Sequence, residues 1–329
     1  MPRLIRYPPV TLHLGAHRTA SSALQRLLDR EAARLSRAGL AVWTPRRTRS
    51  GLLTGLLGDP GRQVPRRDRA ATRAAGRVAM LRQEMTAQGR TRLIISEENA
   101  LGGLRENILL ARLYPTVAPR LERLEDALPG IDRICLAVRP QAEWWTSAFA
   151  FLMTRGFAPP DAVTLQAVAG SRRGWRHVIE DIARAVPRAR ITVWRHGPGG
   201  LDPAGAFAEL TGRPAPPGPP RRLNASLSLS VLRDRLRSEG CFDALPGRDD
   251  RYDPFPAALR ARLDAAWAAD QDWLRDGASG LAAYKDSAED ADAAEGEDAT
   301  HDRRSRRDRI RSPGPLDRNG EGRIEGPRA

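Results

Sequence analysis

The residues best equipped for chemistry lie near the start of the chain, in Val10 to Gln25 (VTLHLGAHRTASSALQ). Gly15, Ala16, Thr19, Ala20, Ser21 and Ser22 are small or carry hydroxyls, so backbone amides there can come close to a ligand. Val10, Leu12 and Leu14 alternate with Thr11 and His13, and Ala23, Leu24, Leu27, Leu28, Leu35 and Ala38 recur at helical spacing, which predicts strand, tight loop, helix. A helix start behind such a loop offers unpaired N–H groups and the positive end of the macrodipole, which suit a phosphate or sulfate. An anion cradle is expected. When the nucleotide-binding pattern G-x-x-x-x-G-K-[ST] is laid over Gly15, Ala20 falls on the second glycine, Ser21 on the lysine, and the hydroxyl at Ser22 alone survives. The chain's one lysine is Lys285, far from this loop, so an ordinary ATP or GTP site is not expected. The cation present in the turn is Arg18.

Two further groups sit just after predicted strands. Ser96-Glu97-Glu98-Asn99 offers a carboxylate that could take a proton from a hydroxyl or amine. The same residues also fit a helix cap, with Ser96 as the cap and both glutamates in the first turn. Arg139 ends the next strand, and Ser147 lies eight positions on, in the following helix. A guanidinium binds phosphate bidentately and a hydroxyl near a helix start adds a donor, although alone Arg139 reads equally as a surface ion-pair partner. Trp144 and Trp145 read as core, and His196 as a loop histidine. In Arg221 to Ser228, Arg222 could add a cation, while Asn224 and Ser226 fit equally well as caps for a helix over Leu227 to Arg237.

Taken together, these segments resemble the sulfotransferases that use 3′-phosphoadenosine 5′-phosphosulfate (PAPS), in particular bacterial members with loops of the form H-[KR]-T-[GA]-[ST]-[ST]-x-L-Q. His17 to Gln25 follow that form nearly position by position, with Arg18 where many members have lysine and Ala20 where many have glycine. Arg139 and Ser147 keep the family's spacing, although R-x-P is R-P here. Ser96 to Glu98 and Arg222 to Ser228 resemble the family's S-[SE]-E and R-x-N-x-S-L segments, and Ile191 to Thr211 its late strand and short helix near a D-P pair. The resemblance covers Val10 to Arg237. It implies PAPS as co-substrate with no metal, and a cofactor site of Gly15, His17, Arg18, Thr19, Ala20, Ser21, Ser22, Arg139, Ser147 and Arg222. Arg18 would stabilise charge on the bridging oxygen, Glu97 or Glu98 would act as the base, with Glu97 preferred, and Arg139 with Ser147 would anchor the 3′-phosphate.

The elements that must position these residues are strands at Leu40–Trp43, Arg92–Ile95, Arg133–Val138 and Arg190–Trp194, alternating with helices over Arg67–Gln88, Asn107–Leu128 and Asp161–Ala185. Gly51 to Arg66 reads as a loop near the site, and Gly212 to Pro220 as a connector. Such alternation argues for an α/β domain with a central, mainly parallel sheet flanked by helices in three layers, of P-loop type by the resemblance. Ligands in such sheets bind at the carboxyl ends of the strands. Residues 1–283 are expected to form this domain, and 284–329 a charged, disordered tail without enough apolar surface to offset its ordering entropy.

The chain of 329 residues is long enough for a substantial core, and its net charge of +14 comes almost wholly from arginine. That bias runs through the whole sequence, so nucleic acid is not the expected partner. Arg46 to Arg92 does concentrate basic residues, with Asp59, Asp68 and Glu84 its only acids, and reads as a solvated face ahead of a patch for an anionic acceptor or nucleic acid. Cys135 and Cys241 make neither a disulfide framework nor a metal site, there is no signal-type segment, and no run of about 18 apolar residues occurs. A cytoplasmic protein without a membrane span is expected; the acceptor and the oligomeric state are not legible. Two other classes compete: a phosphotransferase with a degenerate loop, and a non-catalytic protein that binds nucleic acid or another anionic polymer.

Overall fold

The computed structural model describes residues 7–58, 61, 64–217, 227–238 and 245–286. The chain divides into units 1–288 and 289–329, and only the first contains described residues. Arg222, Asn224, Ser226, Cys241 and the tail beyond Asp286 lie outside them.

Six strands form one parallel sheet: β1 (Val10–His13), β2 (Leu40–Trp43), β3 (Arg92–Ser96), β4 (Ile131–Val138), β5 (Arg190–Arg195) and, after a hairpin of β6 (Gly247–Arg248) and β7 (Arg251–Tyr252), β8 (Ala282–Lys285). Their order is β2-β3-β1-β4-β5-β8. The short strands were legible because a parallel strand covered on both faces reads as a continuous apolar run. β1 is buried along its whole length and pairs with β3 and β4, His13 lying opposite Ser96 on one side and Cys135 on the other. The chain steps from β1 outward to β2 and then back past β1 to β4, so the strand order reverses at β1 and leaves a crevice beyond the carboxyl ends of β1, β3 and β4. β8 was not expected, and it runs past the boundary drawn at residue 283.

Right-handed crossovers set the layers. Helix α1 (Ser21–Arg37) joins β1 to β2 in one direction across the sheet. The connections through α2 (Pro45–Arg47), α3 (Pro65–Ala87), α4 (Leu104–Leu109), α5 (Val117–Ala127), α6 (Gln141–Met153), α7 (Ala162–Gly170) and α8 (Trp175–Ala185) run in the other, which puts them on the opposite face. α9 (Pro203–Thr211) packs with α1, while α11 (Ala257–Arg275), which follows α10 (Leu229–Ser238), packs against α6, α7 and α8. Among the described residues no helix is long and apolar enough to cross a membrane.

Two expected helices are each two. Asn107–Leu128 breaks between α4 and α5, where Pro115 disfavours helix at Tyr114 and the Asn107 side chain accepts from the Tyr114 amide at 3.1 Å. Tyr114 takes φ 42°. Asp161–Ala185 breaks between Gly170 and Gly174. Gly174 has no side chain with which to cap α8, and Asp270 from α11 supplies the cap instead, accepting from the amides of Trp175 (2.6 Å) and Arg176 (3.3 Å) and from Gln141 Nε2 (2.6 Å). A Cβ on Gly174 would lie 2.4 Å from Asp270 Oδ2, so the borrowed cap requires glycine there. Burial raises the Asp270 carboxyl above the usual range despite these donors. On the same face, Arg82 of α3 is buried and holds the carbonyls of Pro8 and Pro129, beside the starts of β1 and β4.

Asp270→Ala should therefore lower stability by about 2–3 kcal/mol in urea unfolding, because two buried donors and a part-buried one lose one acceptor. Adding Gly174→Ser to that variant should recover part of the loss by giving α8 a cap of its own.

Candidate functional site

The loop from Leu14 to Ala20 turns tightly over the end of β1. Gly15 is required by close approach: a Cβ there would sit 2.3 Å from Ser21 Oγ and 2.4 Å from His13 Cε1. Ser21 Oγ donates to the Gly15 carbonyl at 3.2 Å and Thr19 Oγ1 to that of Ala16 at 2.5 Å, so these two hydroxyls close the loop on itself. Arg18 and Ala20 both adopt left-handed backbone, φ 68° and 62°, a conformation that costs about 1–2 kcal/mol in a residue with a Cβ. Ala20 is the residue before α1, and its strained turn aims the amides of Thr19, Ala20 and Ser21 out of the helix start, where they donate to no protein acceptor among the described residues. These features give the expected anion cradle amide donors that are fixed in advance, of the kind phosphate and sulfate accept from.

Two neutral histidines brace it. The Tyr114 phenol accepts from the His17 amide at 2.9 Å, so its own O–H donates to His17 Nδ1 at 3.0 Å, which leaves Nε2–H to donate to Asn99 Oδ1. His17 thus spends both ring nitrogens on protein partners. At His13, Ser96 lies 2.8 Å from Nδ1, and the ring stacks on Trp194. Burial lowers the His13 pKa to about 4, against a smaller opposing effect of Glu98, and burial also lowers that of His17. Ser96 ends β3 and anchors His13, so it is not the helix cap offered as an alternative; Glu97 occupies the capping position of a short turn, accepting from the Asn99 amide at 3.1 Å.

The glutamates differ sharply. Glu97 is wholly buried and accepts from Thr48, from Arg49 Nη2 at 2.6 Å and from the Asn99 amide. Glu98 is the one that turns toward the cradle, accepting from Gln25 Nε2 of α1 at 2.7 Å and pairing with Arg49 Nη2 at 2.8 Å. Of the two carboxylates offered as a base, Glu98 is therefore the one with solvent access, while Glu97 is enclosed by its donors. Burial alone would raise the Glu98 carboxyl; the Arg49 charge and hydrogen bond, with Gln25, outweigh it and hold the carboxyl below the usual range. Arg49 belongs to the turn Thr48–Leu52 that opens the segment read as a loop. Nothing in the sequence singled it out among so many arginines.

On the other side of the cradle arginines gather with one exposed carboxylate: Arg139 Nε donates to Glu143 Oε2 at 3.1 Å, four residues on, so the ion pair offered for Arg139 is present. Arg18 Nε donates to Ser147 Oγ at 2.9 Å, across 129 residues, and Arg139 Nη1 donates to the Arg18 carbonyl at 3.3 Å. Arg155 and Arg18 both lie over the Phe151 ring, at 3.5 and 4.9 Å from its centre. Burial, with the charges of Arg139 and Arg155, lowers the Arg18 pKa to about 10. His196 follows β5 and is drawn into this group: its amide donates to Val138 O at 2.7 Å, and burial and the neighbouring Arg139 lower its pKa to about 4. Its loop placement was legible, but its company was not. Trp144 and Trp145 are core, as expected. Arg18, Arg139 and Ser147 thus come together, and Glu97 and Glu98 come together beside Arg49, with the cradle between the two sets. The donors present (loop amides, hydroxyls and guanidinium groups) are those that phosphate and sulfate accept from, so a nucleotide with anionic groups at two positions fits them.

No protein-family model matches the chain, and no curated protein sequence does. Among solved structures, a sulfotransferase from Alicyclobacillus acidocaldarius matches at 16% identity, covering 81% of this chain and 93% of that one, with a TM-score of 0.36.

Neutral His13 makes acid stability a direct readout. Unfolded, its imidazole takes a proton near pH 6.5; folded, it does so near 4, so stability should fall as pH drops through that window, by about 3 kcal/mol for this residue. His13→Gln should flatten that part of the curve. Ala20→Gly should relieve the left-handed strain and raise stability by roughly 0.5–1 kcal/mol after the entropic cost of glycine, measured by urea unfolding.

Proposed function

We propose that this protein transfers a sulfuryl group from PAPS to a hydroxyl or amine of an acceptor. The observation that carries the reading is the contact of Arg18 with Ser147 beside Arg139, a second group of cationic and hydroxyl donors at the edge of the cradle. A nucleotide with a phosphate at both its 3′ and 5′ positions needs two such sites; ADP and ATP need one.

When bound, the donor supplies an activated sulfuryl group. The cradle amides, that of Ser21 among them, with the Ser22 hydroxyl hold its phosphosulfate end and stabilise the charge that develops on the leaving oxygen, an effect that requires fixed donors and no reorganisation. Arg139 and Ser147 hold the 3′-phosphate. Arg18 has its backbone in the cradle and its guanidinium on Ser147, which favours a place for its charge at the junction of the two sites rather than on the bridging oxygen alone. Glu98 takes the acceptor proton, and Arg49 and Gln25 set its orientation. Arg49 keeps the carboxylate charged at neutral pH, at the expense of basicity.

Calorimetry of 3′-phosphoadenosine 5′-phosphate against ADP, without metal, tests the donor class. Preference for the 3′-phosphorylated nucleotide of at least about tenfold, abolished in Arg139→Ala, is expected, since a charge-assisted pair contributes about 1.5–3 kcal/mol. Equal binding of the two nucleotides would overturn the reading. In turnover assays Glu98→Gln should cost on the order of 10²-fold or more in kcat, and Glu97→Gln should lower stability. Arg49→Ala should move the acid limb of kcat/KM to higher pH, because removing its charge lets burial raise the Glu98 pKa.

A further inference from the structure

Described residues of the basic stretch that the sequence concentrates in Arg46 to Arg92 line an open groove. It runs between the turn Thr48–Leu52 and one face of α3, and its volume is about 1080 Å³, enough for one small molecule with room to spare. The α3 face is built from Ala70, Arg73, Arg77, Met80, Glu84 and Ala87, positions three or four apart that span about 25 Å of helix at 1.5 Å per residue. The opposite stripe of the same helix, including Ala71, Ala74, Val78 and Met85, is buried in the core, so this face is the one α3 turns outward. Its chemistry is mixed in a definite way. Leu52, Leu81 and Met80 supply an apolar lining, Met80 being 70% exposed, while Arg47, Arg73 and Arg77 set three positive charges on the walls against the single acid Glu84. Two of the cations are held in place: Arg77 Nη2 donates to the Gly51 carbonyl at 2.6 Å and Arg47 lies over the Trp43 ring at 5.4 Å.

From this we infer that the cleft binds an elongated amphiphile, one molecule with an apolar acyl or aryl body along α3 and an anionic headgroup among Arg47, Arg73 and Arg77. A polyanion such as nucleic acid would leave the apolar lining unused, and a neutral lipid would bring no negative charge to the three guanidinium groups. The turn that walls the cleft also carries Arg49, which pairs with Glu97 and Glu98, so the bound molecule lies next to the element that orients the base. The cleft is the acceptor site. That last assignment rests on the sulfuryl-transfer reading; the binding itself does not.

The test is calorimetry of the full chain without nucleotide, using dodecyl phosphate below its critical micelle concentration against dodecyl maltoside, dodecyltrimethylammonium and inorganic phosphate. Dodecyl phosphate should bind once per chain and at least about tenfold more tightly than each of the others. Arg73→Glu and Met80→Asn, both at exposed positions, should each weaken it by about tenfold, and Arg139→Ala should leave it unchanged. Absence of binding, equal binding of charged and neutral amphiphiles, or binding that neither cleft substitution moves would overturn the inference. Failure here with 3′-phosphate selectivity intact removes the acceptor assignment alone. Loss of that selectivity with amphiphile binding intact removes the transfer reading and leaves the cleft.

Discussion

The parallel pairing of β1 with both β3 and β4 is the constraint from which the site follows. A strand buried on both faces and flanked on both edges has one free end, and the loop leaving it must turn at once to start α1. That turn is tight enough to need glycine at residue 15 and left-handed backbone at Arg18 and Ala20. The same pairing brings Ser96 and Cys135 level with His13, and with them the segments carrying Glu97, Glu98 and Arg139. Cys135 itself is inert in this position, its thiol pushed up to about 12 by burial.

Around the cradle the charges are sorted rather than mixed. Arg18, Arg139 and Arg155 share one side with no buried carboxylate among them, and the depressed Arg18 and His196 pKa values report their mutual repulsion as well as burial. On the other side one guanidinium serves two carboxylates, and there the Arg49 pKa is raised: burial opposes its charge, and the hydrogen bond to Glu97 and the charges of both glutamates outweigh that. Like charges held together are costly, and in the first group Glu143, on Arg139, is the carboxylate that offsets them, whereas in the second Arg49 is shared by two carboxylates. Sites that displace pKa values in opposite directions within one crevice are where function concentrates.

Much of this was legible because the signals are local. The strands, the cradle, Asp202 as the start of α9 and the order Arg139 to Ser147 are each written in a few consecutive residues. The breaks at Pro115 and between Gly170 and Gly174 were marked by their residue types as well, and were lost to a helical periodicity that continues across them. What the sequence could not carry is pairing over distance. Tyr114 lies 97 residues from His17, and Arg49 lies 48 from Glu97. The choice between Glu97 and Glu98 turns wholly on which of them Arg49, Thr48 and Asn99 absorb. Similarly, β8 joins β5 from a stretch whose composition alone reads as the edge of a tail.

Asp270 has a consequence for the order in which the molecule can be assembled. It ties the start of α8 to Gln141, the first residue of α6 and two residues after Arg139, while the Trp175 indole donates to the Arg139 carbonyl at 2.7 Å. A nascent chain that has released only its first two hundred residues already holds the cradle, the glutamates and both members of the Arg139 and Ser147 pair, but not the acceptor atom that fixes the base of their helix. The base of α6 and the start of α8 thus share one acceptor that the chain supplies only from α11, 129 residues after Gln141.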